Sequence, residues 1–350
     1  MRLSRALPSR PRVGAAVSGL VALGALTACG GSESAEEGDS AGSGDPLVVY
    51  VGRDEELVGP LLEQFGEETG IEVDARYAGT TDHLALLLEE GEQTPADVFL
   101  SQDAGALGAL SAAGMARDLP AEITDAVLPD FTSTDGSWVG VTGRARVIAY
   151  NPEAVEEAEV PTTVAEVTDE QWRGRVGVAP TNASFQAFVT GFRAAEGDDA
   201  AGAWLEALAA NDPQTFEGNS DVLEALENGV VDLGLINHYY AYQLAGEVGE
   251  ENVATELVFP EAGDPGALVN VTGAAVLSEH PDAEELVSYL VSEEGQQYFV
   301  DSTYEYPLVE GIEAPAGLPA LTDLQGPIED LAELADLETS IALIDEAGLS

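Results

Sequence analysis

The sequence predicts an α/β fold of two lobes joined by two crossing strands, with a cleft between the lobes. Three observations carry the prediction. Short apolar runs alternate with stretches of helical period, the pattern of parallel sheet covered on both faces. The pattern comes in two sets, divided by a long strand-like stretch at 139–151 and closed by another at 268–276. About 305 residues follow an N-terminal leader and tether, more than one small core accommodates.

At the N-terminus, Arg2, Arg5, Arg10 and Arg12 precede an apolar run at 13–26, which falls short of the roughly 20 apolar residues that span a membrane. The run ends in Leu26-Thr27-Ala28-Cys29, a small-residue site of the lipoprotein type. Residues 1–28 therefore read as a signal peptide and Cys29 as the lipidated N-terminus. Residues 29–45, rich in Gly, Ser and Glu, read as a flexible tether. Cys29 is the sole cysteine, which leaves the mature chain without an internal disulfide.

The first α/β set opens with an apolar strand at 46–51. A helix at 55–68 follows, with Leu57, Leu61, Leu62 and Phe65 on one face and Pro60 within it. Alternation at 71–77 predicts a second strand, 82–90 a helix stopped by Gly91, 96–100 a buried strand and 104–113 a helix. The second set has strands at 176–179 and 231–236 and helices at 184–196 and 222–228. The chain returns through 268–276 to a single long helix at 282–300. These elements give lobe 1 as 46–142 plus 270–318 and lobe 2 as 143–269 plus 319–350. In open α/β sheets a ligand lies at strand C-terminal ends.

Charge narrows the function. The chain holds 12 basic residues, all arginine, against 65 acidic ones. Without the four leader arginines, eight face those 65 acids, a formal −57. Nucleic-acid binding needs basic clusters and is excluded as a role. Self-repulsion of this size opposes the compact state at low ionic strength, so the composition fits a high-salt or alkaline setting. No metalloprotease helix, phosphate loop, dinucleotide glycine pattern or nucleophile elbow is present, and the chain reads as a non-enzyme.

The sharpest local feature is Asn237-His238-Tyr239-Tyr240, directly after a predicted strand. Adjacent side chains of an extended segment face opposite ways. Both phenols meet one ligand only if they sit on a strand-to-helix turn. A phenolate is a hard anionic donor suited to Fe³⁺, and metal must displace its proton. The residues alone equally allow one ring in the core and the other at the surface. His83, His238 and His280 are scattered, and the strand end should turn His238 away from a ligand on the tyrosines.

Further stretches sharpen the reading: Val49-Tyr50-Val51-Gly52-Arg53, Ala96-Asp97-Val98-Phe99-Leu100-Ser101-Gln102-Asp103, Val141-Thr142-Gly143-Arg144-Ala145-Arg146-Val147 and Leu268-Val269-Asn270-Val271-Thr272-Gly273. With the tyrosine block, they make residues 47–315 resemble the ferric-iron-binding proteins of bacterial ABC importers. The resemblance implies a type II periplasmic-binding-protein fold and a lipid-anchored, monomeric binding protein on the outer face of the cell membrane. Its partners would be a permease and an ATPase. Its cargo would be Fe³⁺ held by Tyr239 and Tyr240, with carbonate or phosphate beside the metal. The resemblance further aligns Asp54 with a histidine ligand and Gln102 with a glutamate ligand of some members. Asp54 and the neighbouring Asp103 are thus further metal candidates, and Gln102 a hydrogen-bonding residue behind them. For the anion it implies Arg53, Arg144, Asn182, Ala183, Ser184, Asn219 and Asn237. A salt bridge between lobes is the competing role for Arg144 and Arg146. Phe185 stands where some relatives carry a third tyrosine. The alternative cargo is a small organic or anionic solute, thiamine-like or polyamine-like, on the same scaffold.

Overall fold

The apolar run after the tether forms β1 (Leu47–Val51), central in a parallel trio with β2 (Val73–Tyr77) and β3 (Val98–Ser101). The computed structural model describes residues 44–350 except 325, 327 and 329, so Cys29 and the leader lie outside the described residues. Helices α1 (Glu55–Thr69) and α2 (Thr80–Glu90) connect these strands, and α3 (Ala104–Ala112) and a short α4 (Ala121–Thr124) follow β3. Helix α1 buries Val58, Leu61, Leu62 and Phe65, while Pro60 lies on its exposed side.

The long strand β4 (Val139–Tyr150) is buried along its whole length and serves both halves of the sheet. The second half contains β5 (Val176–Val178), α5 (Ala183–Glu196), α6 (Asp198–Ala210), β6 (Gln214–Thr215), α7 (Asn219–Glu227), β7 (Leu233–Asn237), α8 (Tyr239–Val248) and β8 (Glu256–Val258). The chain then crosses back on β9 (Val269–Val276), antiparallel to β3 and β4. After it come α9 (Ala283–Leu290), α10 (Glu293–Tyr298), the two-residue β10 (Tyr306–Pro307) and the C-terminal α11 (Leu337–Glu346). The sheet order is β2-β1-β3-β9-β4-β7-β5-β6, with β8 and β10 also pairing with β4. This is the two-lobed α/β fold with β4 and β9 as the crossing strands.

Two main apolar cores flank the crossing. The first joins Val49, Phe99, Trp138 and Leu286; the second joins Ile148, Trp172, Phe188 and Trp204. The C-terminal segment visits both, since Leu331 and Leu334 enter the first core and Ile344 and Leu349 the second. At the crossing there is no spare room. A Cβ on Gly273 would lie 2.6 Å from a Leu107 methyl and 2.8 Å from the Val139 carbonyl oxygen.

The expected single helix at 282–300 is divided. Ser292 Oγ accepts the Gly295 N–H at 3.2 Å, capping α10, and donates to the Tyr289 carbonyl at 2.7 Å. A serine able to satisfy both an old helix end and a new start makes the break inexpensive. A π-turn over Phe299–Thr303 follows and ends in Tyr304, a non-glycine residue at φ +58°.

Candidate anion and metal site

Register alone gathers the polar residues at the centre of the sheet. Arg144 and Arg146 are two apart on β4 and so share a face. Arg144 stands opposite Asn270 on β9, and Arg146 opposite Asn237 on β7. Cross-strand partners lie side by side on one face, so these four side chains form one patch. With Ser184, Phe188 and Leu268 they line a cavity of only about 10 Å³, room for one water.

The N-terminus of α5 covers one side of the patch. Asn182 caps that helix through the Ser184 N–H at 3.0 Å, and its Oδ1 also accepts the Ser184 hydroxyl at 2.6 Å. Asn219, at the start of α7, donates to Asn182 Oδ1 at 3.1 Å and to Ser184 Oγ at 3.0 Å. Arg146 donates from Nη1 to Asn219 Oδ1 at 3.0 Å and from Nη2 to the Leu235 carbonyl at 2.6 Å. Asn237 Oδ1 lies 3.4 Å from the same Nη1. Thus Asn182, Ser184, Asn219 and Asn237, all expected at an anion site, share one network, with Ala183 as the first residue of α5. The helix N-terminus adds peptide N–H groups and a positive dipole end.

Arg146 sits at the centre without a carboxylate partner among its hydrogen bonds. Burial lowers its pKa to about 9. Burial, then repulsion from Arg53, also lowers that of Arg144. Four buried donors here have no protein acceptor: Arg144 Nε and Nη1, Arg146 Nε and Asn270 Nδ2. Unmatched buried donors carry a large cost, which an anion in contact with them would relieve.

Tyr239 and Tyr240 are the first two residues of α8, with His238 as the hinge from β7. The expected strand-to-helix turn is therefore a helix start. It brings the two rings face to face, with centroids 4.3 Å apart and planes 26° off parallel. Tyr239 is buried and Tyr240 half-exposed. Burial, then the Tyr240 neighbour, raises the Tyr239 phenol well above its ordinary value, while Arg53 and Arg144 pull it down. The Arg53 guanidinium lies 5.9 Å from the centre of the Tyr239 ring.

His238 does point away. It is fully buried; Nδ1 accepts the Ala145 N–H at 3.2 Å and Nε2 donates to the Tyr304 carbonyl at 2.9 Å. Both contacts suit a neutral ring, and burial lowers its pKa to about 4.

The first lobe offers less. Asp54 is exposed at the head of α1 and makes no capping bond there; with Gln102, Arg53 and Tyr77 it lines a groove of about 410 Å³. Asp103 is buried and caps α3 by accepting the Ala106 N–H at 2.9 Å. The Gln102 carbonyl accepts from Arg144 Nη2. Arg53 gives both terminal nitrogens to Glu305, at 2.9 and 3.2 Å, and Nη1 also reaches Thr272 Oγ1 at 2.5 Å. Among the described residues no group of three or more His, Cys, Asp or Glu side chains could hold a metal, so the phenols are the distinctive hard donors. Arg146, Asn270 and Glu305 were not assigned to the site from sequence. For Arg146, two residues beyond Arg144 on one predicted strand, a shared face was a usable signal.

The fold and sequence are similar to those of known proteins. Residues 93–323 match the family described as bacterial extracellular solute-binding protein. The Fe(3+)-binding periplasmic protein of Serratia marcescens is 32% identical over 89% of this chain and 93% of its own length. The major ferric iron-binding protein of Neisseria meningitidis is 34% identical over 87% and 93%. The crystal structure of iron-bound HitA from Pseudomonas aeruginosa superposes with a TM-score of 0.82 at 34% identity, covering 87% of this chain and 99% of that one.

Proposed function

This chain belongs to the bacterial extracellular solute-binding proteins, and from that premise we propose that it captures ferric iron for import, between the phenolates of Tyr239 and Tyr240 and a small anion. It is a binding protein that works outside the cytoplasm and carries out no reaction on its cargo. The observation that carries the iron reading is the stacked tyrosine pair at the start of α8. Two hard donors in one place suit Fe³⁺. Binding must expel the Tyr239 proton, and Arg53 and Arg144 assist by favouring the phenolate.

The anion, carbonate or phosphate, would lie over Arg144, the N-terminus of α5, Asn219 and Asn237. Its charge would offset the buried guanidinium groups, and one oxygen would complete the iron's coordination. Asp54 is the donor the first lobe would add when the cleft closes on the metal. Delivery would be to a membrane permease driven by an ATPase. A lipid at Cys29 would hold the monomer at the outer face of the membrane.

The test is metal analysis of protein purified without chelators, read with its visible spectrum after addition of ferric citrate. Iron near one equivalent and a red-to-orange phenolate band are expected. Colourless, iron-free protein under saturating ferric citrate would refute the reading and favour an organic solute.

A further inference from the structure

Three buried arginines, Arg53, Arg144 and Arg146, stand near the tyrosines, and they are not equivalent. The difference traces to Glu305, which is fully buried. Glu305 forms a two-pronged ion pair with Arg53, at 2.9 and 3.2 Å, and accepts the Thr303 hydroxyl at 2.9 Å. Its Oε1 stands 4.0 Å from Arg144 Nε, in reach of charge but beyond a hydrogen bond. Burial alone would raise the Glu305 pKa; Arg53 and Arg144 hold it below the ordinary value.

The backbone is arranged to put this carboxylate there. Tyr304 adopts φ +58°, a conformation unfavourable for a bulky side chain, directly before Glu305. The Tyr304 carbonyl is held by His238, the residue before the tyrosine pair. The turn that presents Glu305 and the turn that presents Tyr239 and Tyr240 are thus tied together.

We infer that Glu305 is a positioning residue of the cleft: it commits Arg53 to the scaffold and leaves Arg144 and Arg146 as the pair that meets the anion. The inference rests on the proposed anion site and adds the rule that decides which arginines serve it. With Glu305 present, Arg53 cannot turn to an anion without abandoning two charge-assisted bonds. Without Arg53, Glu305 would be left buried and unpaired, with Arg144 as its nearest alternative partner. Glu305 therefore sets the number of free guanidinium groups, and with it the strength of anion binding.

The experiment is calorimetric titration of the metal-free, full-length protein with inorganic phosphate at fixed ionic strength. One gained or lost charge-assisted hydrogen bond corresponds to about a tenfold change in affinity. Glu305→Gln frees Arg53 and should bind phosphate about tenfold more tightly. Arg53→Gln should bind it about tenfold more weakly, because Glu305 turns to Arg144. The double variant, which removes both charges, should return to within about threefold of wild type. Opposite signs in the single variants are a signature that loss of packing alone would not give.

If Arg53 itself contacts the anion, the double variant stays as weak as Arg53→Gln, and the inference is overturned. Unchanged or weaker binding in folded Glu305→Gln overturns it too. Should that variant fail to fold, the comparison of Arg53→Gln with the double variant still decides. Phosphate binding by none of the four proteins would remove the anion site and this inference together. Loss of the ferric phenolate band in wild type with phosphate binding intact would count against the iron reading alone.

Discussion

The two walls of the cleft are built on different principles. On the second-lobe side, Asn182, Ser184, Asn219, Asn237 and Arg146 share one hydrogen-bonded network, and the tyrosines start a helix directly beside it. On the first-lobe side, Asp103 is consumed by capping α3, Arg53 is consumed by Glu305, and Asp54 stands exposed at the groove beside Glu55 and Glu56. One wall is preorganised; the other is sparse. On the proposed site, the difference predicts that capture begins on the second lobe, where ordering costs are already met, with the first lobe joining late.

The strongest test of that asymmetry is the pair Tyr239→Phe with Tyr240→Phe. Ferric binding should vanish with the visible band, a loss beyond the roughly 100-fold that follows loss of a supporting residue. Circular dichroism should remain that of the wild type. Iron retained with its band would break the comparison outright. Next in size is Arg146→Met. It strands acceptors on Asn219, Asn237 and Leu235 and should lower stability by about 3 kcal/mol, read from urea unfolding. A neutral or stabilising result would show that the network is not the ordered part.

A smaller effect separates the two first-lobe acids. Asp103→Ala should cost about 1 kcal/mol through the lost cap while leaving iron affinity within a few fold. Asp54→Asn should do the reverse, leaving the urea midpoint unmoved and weakening iron binding by less than tenfold, as expected of one exposed donor. An Asp103 variant that loses iron while keeping its stability would make the first wall a metal wall after all.

The smallest effect is a control outside the cleft. Asp135 accepts from the Ser137 and Ser111 hydroxyls, which together with the Ser137 N–H hold its pKa at about 2, below the ordinary carboxylate range. A depressed carboxylate contributes stability above its unfolded value, lost as pH falls toward the folded one. The stability gap between wild type and Asp135→Asn should thus be steady above about pH 4 and close by about pH 2. Because Asp135 is exposed, the gap should stay under about 1 kcal/mol. A gap that widens in acid would show that these hydrogen bonds do not favour the ionised form.

The parts legible in the sequence were those written locally. Strands such as 47–51 announced themselves by apolar runs, and the tyrosine pair by its place after one. The loop before α5 was marked by Asn182 and Ser184, residues whose side chains bond their own backbone nearby. Glu305 was not legible. Its partner Arg53 is 252 positions away, and among 65 acids nothing local marks Glu305 as fully buried. Arg146 was foreseen only as a member of a salt bridge; its surroundings of amides and a hydroxyl come from strand register. The break in the 282–300 helix was missed because Ser292 is tolerable inside a helix and becomes a cap only once the chain bends.

The long strand β4 and its neighbour β9 have a mechanical consequence. The two halves of the sheet share these strands, so any rotation of one half against the other twists them as an axle. Points on an axle have almost no lever arm. Arg144, Arg146 and Asn270 sit on it and would keep their positions whatever the angle between the halves. Asp54, carried at the head of α1, would sweep through an arc. An anion could settle on the axle at any angle, whereas a donor at the rim would reach the metal only near the end of the swing.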